Sequence, residues 1–139
     1  MNNFKQFFLV GSTVFIVDQA TKFLATIYGF QVSYNSGVTL SFLSQIHNTI
    51  LTIFLIALVL VLFSFFRTTW QKNQLGAGLF FGGAVANIFD RILFGSVRDW
   101  ILIPATQIQN NIADIAIFLS VVIISVAVVT EKKLTSRVK

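Results

Sequence analysis

Gly82-Gly83-Ala84-Val85-Ala86-Asn87-Ile88-Phe89-Asp90-Arg91 is the stretch on which the reading of this chain turns. It lies in an apolar segment covering about residues 74–94, long enough to cross the ~30 Å hydrocarbon layer as a helix. An amide, a carboxylate and a guanidinium stand near its end. A carboxylate near hydrocarbon costs roughly 2.5–3.5 kcal/mol on insertion scales unless it is paired or faces water. Four of the five acidic residues, Asp18, Asp90, Asp99 and Asp114, lie inside or beside apolar segments. One could be a packing device; four indicate a membrane protein built around polar chemistry.

Three further segments extend the pattern, at about 4–28, 48–66 and 112–130. Each has the length of a membrane-spanning helix, the second only just. The second carries no charge and reads as lipid-exposed. The expected fold is an all-α membrane protein of four transmembrane helices, in a single domain over residues 1–139. Composition agrees: 55% hydrophobic, 11% charged, mean hydropathy +0.82, with sixteen Phe and one Pro, outside the ordinary soluble range. With no cysteine, disulfides, thiolate metal sites and cysteine catalysis are excluded. The one histidine, His47, excludes two-histidine zinc motifs.

The basic residues set the orientation. Lys5 precedes the first segment, Arg67 and Lys72 separate the second from the third, and Lys132, Lys133, Arg137 and Lys139 form the tail. The first-to-second connection, 29–47, has no Lys or Arg, and the third-to-fourth has only Arg98. The positive-inside rule therefore puts both termini in the cytoplasm. The tail reads as a topology signal near anionic lipid, not as a nucleic-acid patch. The run through Val17-Asp18-Gln19-Ala20-Thr21-Lys22 is unlike a signal-peptide cleavage region, so the first segment is read as uncleaved. Trp70 and Trp100 read as interfacial anchors, and His47 as a residue at the start of the second helix.

This topology gathers the ionisable residues at the outer interface. Asp18 and Lys22 are i,i+4 neighbours that can neutralise each other. Asn87 and Arg91 share the same spacing, with Asp90 adjacent, and small residues there let neighbouring helices approach closely. Both clusters also fit a purely structural role as internal salt bridges. Asp99 and Asp114 lack a basic partner at helical spacing, since Arg98 should point away. The connection Trp100–Asn110 is long enough to bring the two carboxyls together, where they would share one proton and titrate as a unit. The bland alternative makes Asp114 a helix-dipole charge and Asp99 a loop residue. A serine protease built on Ser36 or Ser96 would lack a histidine partner.

The run from Gly82 to Ile101, with Asn87-Ile-Phe-Asp90-Arg91 and Gly95-Ser-Val97-Arg-Asp99-Trp100, resembles the lipoprotein signal peptidase (signal peptidase II) family. That family shows Gly-Gly, Asn-x-x-Asp-Arg and Gly-x-Val-x-Asp followed by an aromatic. Asn111-Ile-Ala113-Asp114 is similar to its Asn-x-Ala-Asp, Asp18-Gln-Ala-Thr-Lys22 to its Asp-Gln-x-Thr-Lys, and Asn35-Ser-Gly37 to its Asn-x-Gly. The matches come in family order and cover most of the chain.

The resemblance implies a bacterial inner-membrane aspartyl endopeptidase with its site at the extracytoplasmic face. It would cleave signal peptides from prolipoproteins before a diacylglyceryl-modified cysteine, without a metal. The catalytic pair maps onto Asp99 and Asp114. Asn87, Arg91 and Asn111 map to pocket residues, Asp90 to a nearby structural acid, Asp18 and Lys22 to a support pair, and Asn35 and Gly37 to the outer loop at the substrate entrance. The expected partners are the lipid-modified substrate and membrane lipids, with no nucleic acid and a monomeric state. Sixteen residues separate Asp18 from Asn35, fewer than usual in the family, so the extracytoplasmic β element between helices 1 and 2 should be small, a single hairpin. Two other classes stay open: a non-catalytic lipid-binding or assembly protein of this fold, and a proton or ion carrier. A carrier needs ionisable residues through both halves of the membrane, and the inner half has none.

Overall fold

The computed structural model describes residues 4–36, 48–104, 106 and 108–137; Gly37 and His47 lie outside them, as does the stretch of the first connection between them. The elements run α1 (Lys5–Ile27), β1 (Ser33–Asn35), α2 (Asn48–Phe65), α3 (Arg67–Lys72), α4 (Gln74–Phe94), β2 (Val97–Asp99), β3 (Ile101–Leu102), β4 (Gln109–Asn110) and α5 (Ile112–Arg137). Four helices are long and apolar enough to cross a membrane: α1, α2, α4 and the Ile112–Glu131 part of α5. Ile50, Ile53, Phe54, Leu60 and Val61 of α2 are each at least 60% exposed. So large an apolar surface is stable only against lipid.

Helix α4 is the buried centre. Phe7 of α1 meets Phe81, and Phe15 meets Phe89, so α1 and α4 run parallel. Phe63 of α2 also meets Phe81 while Asn48 bonds Arg91, so α2 runs antiparallel to α4. Gly83 touches Ala113 of α5, and Gly76 touches Ile124, making α5 antiparallel as well. The result is an up-down-up-down bundle. Close approach comes from missing side chains: a Cβ on Gly82 would lie 2.6 Å from the Gly11 carbonyl oxygen, and one on Gly83 would lie 2.6 Å from that of Ala113. Lipid provides no hydrophobic drive between helices, so such backbone contacts carry the packing.

The helix α4 ends where Gly95 takes a left-handed conformation, φ 72°, with its N–H donating to Arg91 O at 3.1 Å, an arrangement glycine adopts without Cβ strain. The chain then turns into β2, which pairs antiparallel with β1: Ser33 opposite Asp99, Tyr34 opposite Arg98, Asn35 opposite Val97. The small β element after α1 therefore has its described partner in the connection between α4 and α5, not within its own connection. Three residues of strand cannot satisfy their backbone alone, and periodicity does not reveal which segment answers. A second antiparallel pair, β3 with β4, sets Ile101 opposite Asn110 and Leu102 opposite Gln109.

Trp70 is half-buried at the far end, its indole N–H donating to Leu62 O at 3.0 Å and its rings stacked on Phe80. Trp100 packs edge-on against Phe30, and its buried indole N–H has no hydrogen-bond partner among the described residues.

Candidate active site

Antiparallel packing brings the C-terminal ends of α1 and α4 beside the N-terminal ends of α2 and α5. The polar residues collect there in two layers. The rear layer is a buried ion network. Lys22 Nζ reaches Asp18 Oδ2 at 2.7 Å, Asp90 Oδ2 at 3.2 Å and Asn87 Oδ1 at 3.0 Å, which occupies all three ammonium hydrogens. Asp18, Lys22 and Asp90 are fully buried. A buried charge survives only when paired and hydrogen-bonded.

The pairing of Asp90 was not apparent from the sequence. Its adjacent Arg91 turns away, with Nη1 donating to Ser36 O and Asn48 Oδ1, both at 3.4 Å. Arg98 binds Asp90 instead: its peptide N–H donates to Oδ2 at 3.0 Å, Nε to Oδ2 at 3.2 Å and Nη2 to Oδ1 at 2.8 Å. Gln19 completes the network, donating to Asp90 Oδ1 at 3.0 Å and accepting from Arg98 Nη2 at 2.9 Å. Sequence reasoning passed over Gln19 and Asn48, and it read Arg98 only as pointing away from Asp99, without naming its partner. The usable signal was unbalanced charge, since one Lys22 cannot neutralise two buried acids.

Asp18 also works on α5. Its Oδ1 accepts the Ala113 N–H at 2.9 Å, while Asn111 Oδ1 accepts the Asp114 N–H at 2.8 Å. Asn111 is thus the helix's own N-cap, and an acid from α1 satisfies the neighbouring amide. Two otherwise orphan donors fix where α5 begins, and with it the position of Asp114.

The front layer faces a cavity of about 400 Å³ lined at one end by Asn35, Asn87, Arg91, Asp99 and Asp114, and along its walls by Leu55, Leu58, Leu62 and Phe80. Asn111 joins the two acids: its Nδ2 donates to Asp99 Oδ1 at 2.6 Å and its Oδ1 holds the Asp114 amide. Asn35 Nδ2 donates to the other Asp99 oxygen at 3.2 Å, across the β1–β2 pair. Asn87 Nδ2 donates to Asp114 Oδ1 at 2.8 Å. Its amide can point only that way, because Lys22 occupies the Asn87 oxygen. Burial pushes the Asp99 carboxyl above the ordinary carboxylate range; the amides of Asn111 and Asn35 oppose this, the Asp114 charge adds to it and Lys22 counteracts it.

Of the residues singled out from the sequence, Asn35, Asn87, Arg91, Asp99 and Asp114 share the cavity. Asn111 bridges its two acids, and Asp18, Lys22 and Asp90 form the network behind. Gly37 lies outside the described residues. Ser36 presents its carbonyl to Arg91. Among the described residues, no three His, Cys, Asp or Glu side chains group to hold a metal ion. A second cavity, about 460 Å³ between α1 and α4, is lined by Phe7, Phe15, Phe81 and other residues without an ionisable group.

A family model described as signal peptidase (SPase) II matches residues 10–130. The lipoprotein signal peptidase of Rhodopseudomonas palustris is 30% identical over 140 aligned positions, covering 81% of this chain and 85% of the relative. That of Pseudomonas putida is 28% identical, covering 86% and 84%. A solved structure described as a bacterial membrane enzyme superposes with a TM-score of 0.74 at 27% identity, covering 89% of this chain and 87% of its own. With the acids, amides and helix order already laid out, these matches assign the chain: it belongs to the signal peptidase II family.

Proposed function

We propose that this protein is an aspartyl endopeptidase that removes signal peptides from diacylglyceryl-modified prolipoproteins, cleaving before the lipidated cysteine with Asp99 and Asp114 as the catalytic pair. One observation carries the reading: two acids from different elements face one half-apolar cavity and are tied to opposite ends of the same Asn111 amide.

Charge supports a shared proton. In the rear network Asp18 and Asp90 balance Lys22 and Arg98. In front, Arg91 faces Asp99 and Asp114, so the front layer is neutral when the pair holds one proton and net negative when it holds none. Neutrality is the favoured state in a low-dielectric site. Both Asp99 oxygens accept amide hydrogens, an arrangement suited to a carboxylate. Asp114 accepts one side-chain amide, from Asn87 on Oδ1, and the Asn111 backbone; with fewer side-chain amides than Asp99, it is taken as the member that carries the proton. Asp99 then takes a proton from a water, which attacks the scissile carbonyl carbon. Asp114 donates its hydrogen bond to the carbonyl oxygen as charge develops there. Collapse breaks the carbon–nitrogen bond as a proton passes to the leaving nitrogen, and the pair returns to its one-proton state.

Further support comes from the surroundings. The apolar walls formed by Leu55, Leu58 and Leu62 suit a lipid-anchored, hydrophobic substrate, and low dielectric strengthens the pair's electrostatics. Lys5, Arg67, Lys72 and Lys133 stand at the end of the bundle opposite Asp99. By the positive-inside rule the termini are cytoplasmic and the site opens at the extracytoplasmic face of the bacterial inner membrane. We take the working unit to be a monomer of one domain, with substrate and membrane lipid as its partners and no cofactor.

The test is cleavage of a diacylglyceryl-modified prolipoprotein by the purified protein and by its Asp99→Asn and Asp114→Asn variants. The parent should cleave, and each variant should lose nearly all activity at unchanged expression. Normal cleavage by either variant would overturn the assignment.

A further inference from the structure

Arg98 stands at an unspecified position of the Gly-x-Val-x-Asp pattern, and nothing in that pattern asks for a cation there. Yet it is only 7% exposed, and its guanidinium and peptide N–H make three bonds to Asp90 and one to Gln19. The Phe94 ring covers the guanidinium carbon at 4.2 Å. Successive side chains of a strand point to opposite faces, so in β2 Arg98 faces the rear network while Asp99 faces the cavity. Resting on the aspartyl reading above, we infer that Arg98 is a positioning residue: it pins the strand bearing Asp99 to α1 and α4 and neutralises the acids behind the catalytic pair.

Both halves of this role follow from the contacts. A planar fork bonded to both Asp90 oxygens fixes direction as well as distance, and the peptide N–H of Arg98 lies directly before Asp99. The Gln19 bond extends the clamp to a second helix. On the charge side, the groups acting on Asp99 are Asp114 from α5, Lys22 from α1 and Arg91 from α4, with the amides of Asn35 and Asn111. Asp18 and Asp90 stand behind Lys22. Without the guanidinium, Lys22 alone would face both rear acids, and its pull towards Asp90 would weaken its hold on Asn87 and so on Asp114. The front pair would then keep its proton to higher pH.

The experiment measures kcat and KM for prolipoprotein cleavage across pH for the parent, Arg98→Met and Arg98→Lys, with melting temperatures in detergent. For Arg98→Met, kcat should fall on the order of tenfold or more with KM within about twofold, and the limb governed by the carboxylate base should move to higher pH. Arg98→Lys should return that limb to the parent's position while kcat stays below the parent's, since an ammonium cannot span both Asp90 oxygens and Gln19. Parent-like kcat and pH profile in Arg98→Met, or a change in KM alone, would overturn the role. Should Arg98→Met fail to fold, Arg98→Lys decides: lowered kcat at an unmoved limb supports the clamp, and parent-like kcat refutes it. Asp99→Asn separates the two readings. If it is inactive while Arg98→Met matches the parent, only this inference fails; if it is active, the aspartyl reading fails.

Discussion

Replacing Gly83 with alanine puts a methyl group where the structure has no room. The new Cβ would lie 2.6 Å from the Ala113 carbonyl oxygen and 2.9 Å from Ile117 Cγ1. Reaching the 3.4 Å of ordinary contact requires α4 and α5 to part by about 0.8 Å. Backbone cannot rotate aside, so the displacement falls on Ala113 and on its neighbour Asp114. Overpacking of this kind costs ~1–3 kcal/mol, and alanine's better helix propensity returns ~1 kcal/mol, leaving a net loss of ~0–2 kcal/mol. Activity should suffer more, because misplacing a catalytic group by ~1 Å can cost ~10²-fold; we expect kcat to drop by ~10–100-fold.

Gly76→Ala is the internal control. It lies on the same helix pair, but its Cβ would meet Ile124 Cγ1 at 2.7 Å and Cδ1 at 3.0 Å, so the strain falls on the Ile124 side chain and not on the backbone beside Asp114. It also sits far from Asp114. Its kcat should stay within roughly twofold of the parent, as distant sites act independently. The assay is single-turnover cleavage of a lipid-modified prolipoprotein, with detergent melting curves alongside. Equal kcat for the two variants, or parent-like kcat for Gly83→Ala, would refute the idea that this contact sets the position of Asp114.

Three other outcomes can be checked. Asp18→Ala removes one acid from the buried network and the acceptor for Ala113 N–H; breaking a buried pair costs ~3–5 kcal/mol, so the melting temperature should drop sharply, and Asp18→Asn, which can keep the acceptor, should drop less. Burial raises the Asp99 carboxyl, so the folded chain takes up a proton there, the second on the pair, more readily than the unfolded chain does. This stabilising contribution is complete below the unfolded value of about 3.9 and declines as pH rises to the folded value. Relative to Asp99→Asn, the parent's melting temperature should therefore fall across that window, and a rise would contradict the sign. Prolonged treatment with a metal chelator should leave cleavage unchanged, and loss restored by added metal would contradict a reaction run by two carboxyls alone.

Particular residues show how far the sequence could be read. The α1 pair Asp18 and Lys22 was legible because i,i+4 spacing is a local property of the helix, and it appears at 2.7 Å. The four spans were legible because length and apolar composition are set by the bilayer. Adjacency suggests Arg91 as a partner for Asp90, yet consecutive helical residues point about 100° apart. The arginine that answers Asp90 comes from a strand eight residues later. The short first connection predicts a single hairpin after α1, whereas the described partner of β1 is β2.

What the amino-acid order determined by itself is the class of the molecule: helices crossing lipid, an uneven placement of cations, and acids that hydrocarbon would not tolerate without partners. Those follow from the solvent and from spacing along one helix. Which acid meets which cation, which way the Asn87 and Asn111 amides turn, and that Asp18 of α1 caps α5 were decided only when the helices packed. A hydrogen bond depends on tenths of an ångström between segments remote in the chain, and such distances exist only in the assembled bundle.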